Sequence, residues 1–165
     1  MTAHDITSHP SGTAGTAGAP GWVTVFNPFA RLMLKAGIPL GPNGLITIRG
    51  RKSGLARTNP VAIIEVQGKR WIWAPWGEVQ WVRNLRAAGR ATIRKHGRSD
   101  EVRATELNEE QRIGFFRDDL GGLARSIPFG VRFIRTVDGV DLNDPVAAAQ
   151  GRPVFELSAF EQPKP

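Results

Sequence analysis

Short strand-like runs joined by tight glycine turns fill the middle of this chain, and they limit the folds open to it. Two pairs of neighbouring runs are separated by only a few residues, which include Gly68 in one case and Gly97 in the other. This spacing is typical of β-hairpins, so the pairing is antiparallel, and small antiparallel sheets often close into barrels. The predicted strands are Leu45–Ile48, Pro60–Val66, Lys69–Ala74, Arg90–Lys95, Glu101–Glu106 and Val154–Leu157.

Helices are expected at the margins of this sheet, which makes the predicted fold mainly β with flanking helices, of the α+β class. Gly121 and Gly122 are expected to break the helix that Asn108 caps. Residues 123–143 show no clear periodicity, because prolines and glycines interrupt it. The predicted helices are Pro28–Ala36, Trp81–Ala88 and Glu109–Leu120, with a short helical turn after Asp144-Pro145.

The N-terminal segment differs in composition from the rest of the chain. Residues 1–21 consist mainly of Gly, Ala, Ser, Thr and Pro, and they are expected to be disordered. We therefore expect one cofactor-binding domain over residues 22–160. The apolar side chains of residues 22–36 are expected to pack on the domain edge, because this stretch has only two cations, although a peripheral membrane contact stays open.

Composition excludes several kinds of chemistry. The chain has no cysteine, and its three histidines, His4, His9 and His96, do not cluster, so no disulfide, thiolate or metal site is expected. The net charge of +7 is compatible with a nucleic acid, a membrane surface or an anionic small molecule. No apolar run reaches the length of about 18 residues that a spanning helix needs, and no secretory signal is evident, so a cytoplasmic protein is expected.

A cationic loop lies between the first two predicted strands. Residues Arg49–Arg57 carry four cations, two glycines and one hydroxyl, with no acidic residue. Glycines let backbone N–H groups approach a ligand, and Arg and Lys supply positive charge, which together suit a phosphate. A solvated basic hairpin turn is the alternative reading of the same residues.

A second segment, Ala74–Leu85, begins where a strand ends and continues into a helix. Trp76 and Trp81 flank a turn that contains Gly77. Flat apolar faces near exposed backbone amides suit a planar heteroaromatic ring. Asn84, one turn after Trp81, could hold either loop backbone or ligand. The alternative is that the two tryptophans are ordinary core anchors.

The order of these two segments resembles the deazaflavin-dependent nitroreductase family. The residues that carry the resemblance are Gly50-Arg51-Lys52-Ser53-Gly54-x-x-Arg57-x-x-Pro60, Ala74 to Gly77, and Trp81-x-x-Asn84-Leu85. It covers about residues 28–106 and extends loosely to residues 152–157. The resemblance implies a split β-barrel like that of flavin reductases and FMN-binding proteins, and coenzyme F420 as the cofactor, with FMN as the lesser alternative.

The resemblance also implies roles for the matching positions. The phosphate and the start of the oligoglutamate tail would be bound by Arg51, Lys52, Ser53, Gly54 and Arg57. The ribityl chain would lie along Thr58, Asn59 and Pro60. The polar edge of the deazaflavin would meet backbone N–H groups of Ala74, Pro75, Trp76 and Gly77, although Pro75 has no N–H. The ring pocket would be framed by Trp81 and Asn84.

The implied reaction is transfer of hydride from the reduced deazaflavin to a small-molecule acceptor, namely a quinone, a nitroaromatic or an activated enone. No side-chain nucleophile is needed, so no catalytic residue is assigned. The acceptor side would be formed by Trp76, Phe116, Phe129 and Phe133, with Phe115 as a further candidate. Ordinary core packing is the alternative for these phenylalanines. The chain has no Tyr, and its proton donor is not identified.

Two other functions compete with a reductase. One is a protein that binds F420 or FMN without turnover. The other is a basic nucleic-acid-binding barrel, with a stripe formed by Arg90, Arg94, Lys95, Arg98 and Arg103. Asp100 and Glu101 interrupt that stripe, so nucleic acid is not the expected partner. Either a monomer or a homodimer is compatible with the sequence.

Overall fold

The computed structural model describes residues 43–160. Three predictions lie outside the described residues, at least in part. They are the disordered tail over residues 1–21, the helix Pro28–Ala36 with its possible membrane contact over residues 22–36, and the start of the domain at residue 22.

Six antiparallel strands close into a barrel in the order β1-β2-β3-β6-β5-β4. The barrel closes because β1 pairs with β2 on one side and with β4 on the other. This confirms the predicted antiparallel barrel with flanking helices. The strands are β1 (Asn43–Arg49), β2 (Ala56–Val66), β3 (Lys69–Trp73), β4 (Arg90–Lys95), β5 (Arg98–Glu106) and β6 (Val154–Ala159).

Strand β2 begins four residues before the predicted start at Pro60. Its first residues continue the ladder with β1, since Ala56 pairs with Arg49 and Thr58 pairs with Thr47. The connecting loop is therefore only residues 50–55. The residues from Arg57 to Asn59, which were expected in or beside the loop, belong to a strand.

One apolar core fills the barrel, and helix α1 (Gln80–Ala88) covers it. Val82 and Leu85 of α1 are 0% and 1% exposed, and both belong to the cluster of barrel side chains. Gly89 ends the helix in the left-handed conformation, and its N–H donates to the carbonyl of Leu85. The interior strand residues of this core include Ile46, Ile48, Val61, Ile63, Ile72, Ile93, Val102, Phe155 and Leu157.

A second core lies on the outside of the barrel, where later helices pack on β3. Trp71 and Trp73 of β3 meet Phe115 and Phe116, with ring centroids 5.8 and 5.3 Å apart. The elements after β5 are α2 (Glu109–Gly114), a π-helical turn (Phe115–Asp119), α3 (Leu120–Ser126), α4 (Gly130–Asp138) and α5 (Pro145–Ala149). None of the helices within residues 43–160 is long and apolar enough to cross a membrane.

The prediction that Gly121 and Gly122 break the third helix is wrong. Helical structure continues through both residues to Ser126. A Cβ at Gly121 would lie 2.5 Å from the carbonyl oxygen of Phe116, so the glycine there permits a close approach of the preceding turn. The predicted helical turn after Asp144 is present, and the Asp144 carboxylate accepts a hydrogen bond from the N–H of Ala147 at 3.0 Å.

Candidate functional site

The loop between β1 and β2 is held closed by its own backbone. The N–H of Gly50 donates to the carbonyl of Leu55, and the N–H of Gly54 donates to the carbonyl of Gly50, both at 2.8 Å. Gly54 has a φ of 69°, a conformation that favours glycine. The loop is therefore a defined turn, and its side chains project from a fixed backbone.

Gly50 lies in this turn at a point where a side chain would be crowded. A Cβ there would lie 3.0 Å from Ser53 Oγ, 3.2 Å from the Leu55 carbonyl oxygen and 3.6 Å from Arg57 Cγ. On the other side of the turn, the guanidinium of Arg49 lies 3.4 Å from the position that a Cβ of Gly54 would take. Two arginines thus cover the two glycines of one small turn.

The positive charge of the loop is not neutralised by the described part of the chain. The side chains of Arg49, Arg51, Lys52 and Arg57 are all exposed. Between residues 43 and 160, none of the four forms an ion pair with an acidic side chain. An exposed cluster of unpaired cations on a rigid turn suits an anionic ligand.

Arg51 differs from the other cations because helix α1 holds it. Asn84 Oδ1 accepts from the backbone N–H of Arg51 at 3.3 Å and from its guanidinium at 2.9 Å. Gln80 Oε1 accepts from the same guanidinium nitrogen at 3.2 Å. Asn84 is 9% exposed and is the one buried polar side chain among the described residues. In this arrangement, Arg51 attaches the loop to α1.

Gln80 was missed at the sequence level, although a signal was available. It precedes Asn84 by four residues, which places both side chains on one face of a helix. Asn84 itself was considered as a contact to loop backbone or to ligand, and the structure shows the contact to the loop.

Strand alternation separates the residues that were expected to follow the ribityl chain together. Arg57 pairs with Ile48, a residue of the barrel core, so Arg57 and Asn59 belong to the inner face at this end of the barrel. Thr58 and Pro60 belong to the outer face. There, the hydroxyls of Thr58 and Thr47 share a hydrogen bond of 2.9 Å. These residues therefore cannot all contact one side of a ligand.

The turn at Ala74–Gly77 uses its backbone N–H groups within the protein. The N–H of Ala74 donates to the carbonyl of Pro153 at 3.0 Å, and the N–H of Gly77 donates to the carbonyl of Ala74 at 3.1 Å. Pro75 has no N–H. Within the described part of the chain, Trp76 is therefore the one residue of this turn whose N–H makes no backbone hydrogen bond. This corrects the expectation that these residues offer a set of free donors to a ring edge.

Residues near β6 fix the position of this turn. Arg152 Nε donates to the carbonyl of Pro75 at 3.0 Å, and its Nη1 donates to the carbonyls of Ala147 and Ala148 at 3.3 and 3.2 Å. Gly77 has a φ of 81°, and a Cβ there would lie 3.1 Å from the carbonyl oxygen of Gly151. Sequence reasoning missed these contacts because no local pattern links residues so far apart in the chain.

The two tryptophans of this segment have different surroundings. Trp81 packs against the core inside the barrel, and its ring centroid lies 6.2 Å from that of Phe155. Trp76 is half-buried and belongs to neither of the two cores. Trp81 is thus a core anchor with one partly exposed side, whereas Trp76 packs in neither core.

The phenylalanines expected on the acceptor side do not form one wall. Phe115 and Phe116 are 1% and 0% exposed and lie in the outer core, so the expectation that Phe116 lines the substrate pocket is wrong. Phe129 and Phe133 are 82% and 64% exposed. Phe129 lines an open crevice of about 920 Å³ between the end of α3 and α4.

One carboxyl group near this part of the molecule has a raised pKa. Burial raises the pKa of Asp138, at the end of α4, to about 6, and the positive charge of Arg152 opposes this shift. Arg152 therefore links the environment of Asp138 to the turn at Pro75.

Comparison with known proteins assigns a family to this arrangement. The sequence profile of the F420H(2)-dependent quinone reductase family matches residues 32–121, a range that includes both the cationic loop and the segment Ala74–Leu85. The chain belongs to the F420H(2)-dependent quinone reductase family. This confirms the resemblance to F420-dependent reductases and identifies F420 as the cofactor.

Solved structures and curated sequences add little to this assignment. An F420-H2 dependent reductase (FDR-A) is 22% identical, with coverage of 71% of this chain and 94% of that one and a TM-score of 0.44. An FAD-binding protein from Mesorhizobium loti is 15% identical, with coverage of 79% and 89% and a TM-score of 0.43. At these scores the likeness carries no argument. A search of curated protein sequences finds no match.

In this member of the F420H(2)-dependent quinone reductase family, the residues of the cationic loop between β1 and β2 fit the anionic end of F420. The turn would crowd any side chain at Gly50, it carries the hydroxyl of Ser53, and its Lys52 and Arg57 have no acidic partner among residues 43–160. Phosphate and glutamate carboxylates would find both hydrogen-bond donors and positive charge there. Within residues 43–160, no group of three or more His, Cys, Asp or Glu side chains is arranged to hold a metal ion.

Proposed function

We propose that this protein is an F420H2-dependent reductase that transfers two electrons to a quinone, with nitroaromatics and activated enones as further acceptors. The family match supports the cofactor and the general reaction. The observation that carries the proposal is the exposed, acid-free turn of residues 50–55, which Asn84 attaches to α1.

The tail of the cofactor is bound by the cationic turn. Lys52 and Arg57 supply charge to the phosphate and to the first glutamate carboxylates, and Ser53 supplies a hydroxyl. Gly54 allows the tight turn through its positive φ. Arg51 contributes mainly by position, because its guanidinium already donates to Asn84 and Gln80.

The middle of the cofactor follows the start of β2. Arg57 and Asn59 share the inner face of the barrel with Ile48, toward the core that α1 covers. We place the ribityl chain on this face. Thr58 and Pro60 lie on the other face and would support the ribityl chain only through the strand backbone. The hydroxyl of Thr58 already shares a hydrogen bond with that of Thr47.

Trp76 and the exposed side of Trp81, near the N-terminal end of α1, would be the apolar neighbours of the ring. The reduced deazaflavin supplies a hydride when it is bound. The protein would orient the ring, and the turn at Ala74–Gly77, which Arg152 holds through the carbonyl of Pro75, would present Trp76 to the acceptor.

The first experiment compares F420 with FMN as ligands of the purified protein. Quenching of F420 fluorescence, with an FMN titration in parallel, measures both affinities. We expect tighter binding of F420, because only its tail carries several negative charges for the cationic turn. Tighter binding of FMN would contradict the cofactor assignment.

The second experiment tests turnover. Reduced F420 is mixed with the protein and menadione, then with nitroaromatic and enone acceptors, and the return of the oxidised F420 absorbance is followed. We expect reoxidation above the protein-free rate with menadione. Tight binding of F420 without reoxidation by any acceptor would instead identify a cofactor-binding protein.

A further inference from the structure

The corner between α3 and α4 exposes an unusual amount of apolar surface. Ile127, Phe129 and Phe133 are 51%, 82% and 64% exposed. They are three of the five large hydrophobic side chains that are exposed in the described part of the chain, and they lie within seven residues. We call Arg125, Ile127, Phe129, Arg132, Phe133 and Arg135 the corner patch.

The backbone holds Phe129 in this exposed position. Phe129 has a φ of 61°, in the left-handed region that bulky side chains rarely adopt. Its carbonyl accepts the N–H of Phe133 at 2.8 Å and so starts α4. The next residue, Gly130, packs so closely on α3 that a Cβ would lie 2.3 Å from the carbonyl oxygen of Ala124. A strained and exposed aromatic residue is a common sign of function.

The corner patch is also positively charged. Arg125, Arg132 and Arg135 line the crevice beside Phe129, and none of the described residues that line this crevice is acidic. Among residues 43–160, the only ion pair made by these arginines is the long one between Arg135 and Asp141, at 3.9 Å. The patch therefore combines exposed aromatic rings with nearly unneutralised guanidinium groups.

We propose that the corner patch docks the protein on the surface of an anionic lipid bilayer. Aromatic and aliphatic side chains enter the boundary between headgroups and acyl chains, while arginines stay at the level of the lipid phosphates. A stable protein partner would be expected to cover about 20–30 residues on each side, far more than these six. This proposal does not depend on the cofactor or on the acceptor.

The test is co-sedimentation of the full-length protein with vesicles of phosphatidylcholine, with and without phosphatidylglycerol. We expect binding to the anionic vesicles, weak binding to the neutral ones, and a loss of binding as salt is raised. The variant Phe129→Asn/Phe133→Ser should lose at least tenfold in partition. Asn tolerates the left-handed conformation, so folding should be preserved. Arg132→Gln should lose about fivefold.

Val146→Ser is the matched control, because Val146 is 50% exposed but lies on α5, outside the corner patch. It should bind vesicles like the unmodified protein. Equal binding of all variants, no binding to anionic vesicles, or equal binding to both vesicle types would overturn the proposal. So would a patch-dependent dimer in sedimentation velocity without lipid. F420 affinity, measured on the same variants, should not change, which separates this test from that of the proposed function.

Discussion

A single side-chain oxygen, Asn84 Oδ1, accepts hydrogen bonds from both the backbone N–H and the guanidinium of Arg51, at 3.3 and 2.9 Å. The first bond fixes the backbone of the cationic turn, and the second fixes one of its charges. Because Asn84 lies in the middle of α1, the geometry of the turn depends on the packing of this helix over the barrel.

Replacing Asn84 by Ala should lower both stability and cofactor affinity. The change removes the acceptor of a backbone donor and of a charged donor, which predicts a loss of about 1–3 kcal/mol in the free energy of unfolding. F420 should bind at least tenfold more weakly, because the turn is no longer held in place. Urea unfolding and F420 fluorescence quenching measure the two effects.

Two further variants test whether Asn84 acts through its hydrogen bonds to Arg51. Gln80→Ala removes one exposed bond of 3.2 Å and should have a much smaller effect on both quantities. Asn84→Asp retains the oxygen that accepts both bonds, so stability should be preserved, but its negative charge beside the turn should weaken F420 binding. If the Asp and Ala variants lose the same stability, Asn84 does not act through these hydrogen bonds.

Removal of the free cations should weaken cofactor binding without unfolding the protein. Lys52 and Arg57 are exposed and have no acidic partner among residues 43–160. Each charge-assisted hydrogen bond to the cofactor tail is expected to contribute about 1.5–3 kcal/mol, so Lys52→Ala/Arg57→Ala should lower F420 affinity by a factor of about 10² or more. The dependence of affinity on salt should also become shallower.

Arg98→Ala/Arg103→Ala is the control for this change. It removes the same total charge from exposed positions on β5. Isothermal titration at two salt concentrations compares the two double variants. Equal losses of affinity would mean that F420 responds only to net charge, and the turn would return to the interpretation of a solvated basic hairpin.

Strand pairing and the two motif segments could be predicted from sequence because their signals are local. The hairpin turns at Gly68 and Gly97 and the alternation of apolar residues indicate an antiparallel barrel. The start of β2 was placed too late, since Arg57 to Asn59 have no apolar alternation and join the strand only through the ladder with β1. This pairing depends on the tertiary structure and leaves no local pattern in the sequence.

Contacts between distant segments could not be predicted from one sequence. The hydrogen bond from Arg152 to the carbonyl of Pro75 joins residues 77 positions apart. The burial of Phe116 against Trp73 is likewise a result of how α2 and α3 lie on the barrel. Composition identified these residues as aromatic but not which of them face solvent.

The adjacent glycines Gly121 and Gly122 should respond in opposite directions to substitution by Ala. A Cβ at Gly121 would meet the carbonyl oxygen of Phe116 at 2.5 Å, whereas a Cβ at Gly122 would have no neighbour within 4 Å. Gly121→Ala should therefore cost about 1–3 kcal/mol. Gly122→Ala should stabilise the helix by about 0.5–1 kcal/mol. Thermal and urea unfolding measure the stability of the two variants. An equal loss of stability in both would contradict this prediction.

Asp138 should make stability depend on pH in a defined window. Burial raises its pKa in the folded protein to about 6 from its ordinary value of 3.8. The folded state therefore binds the proton more tightly than the unfolded state, so this contribution to stability is complete below pH of about 4 and is lost as pH rises through about 6. Asp138→Asn removes the titration. Compared with the unmodified protein, the variant should gain stability between pH 4 and pH 7, by at most about 3 kcal/mol. Urea unfolding of both proteins at these two pH values measures the difference, and a difference that does not change with pH would show that Asp138 does not titrate in this window.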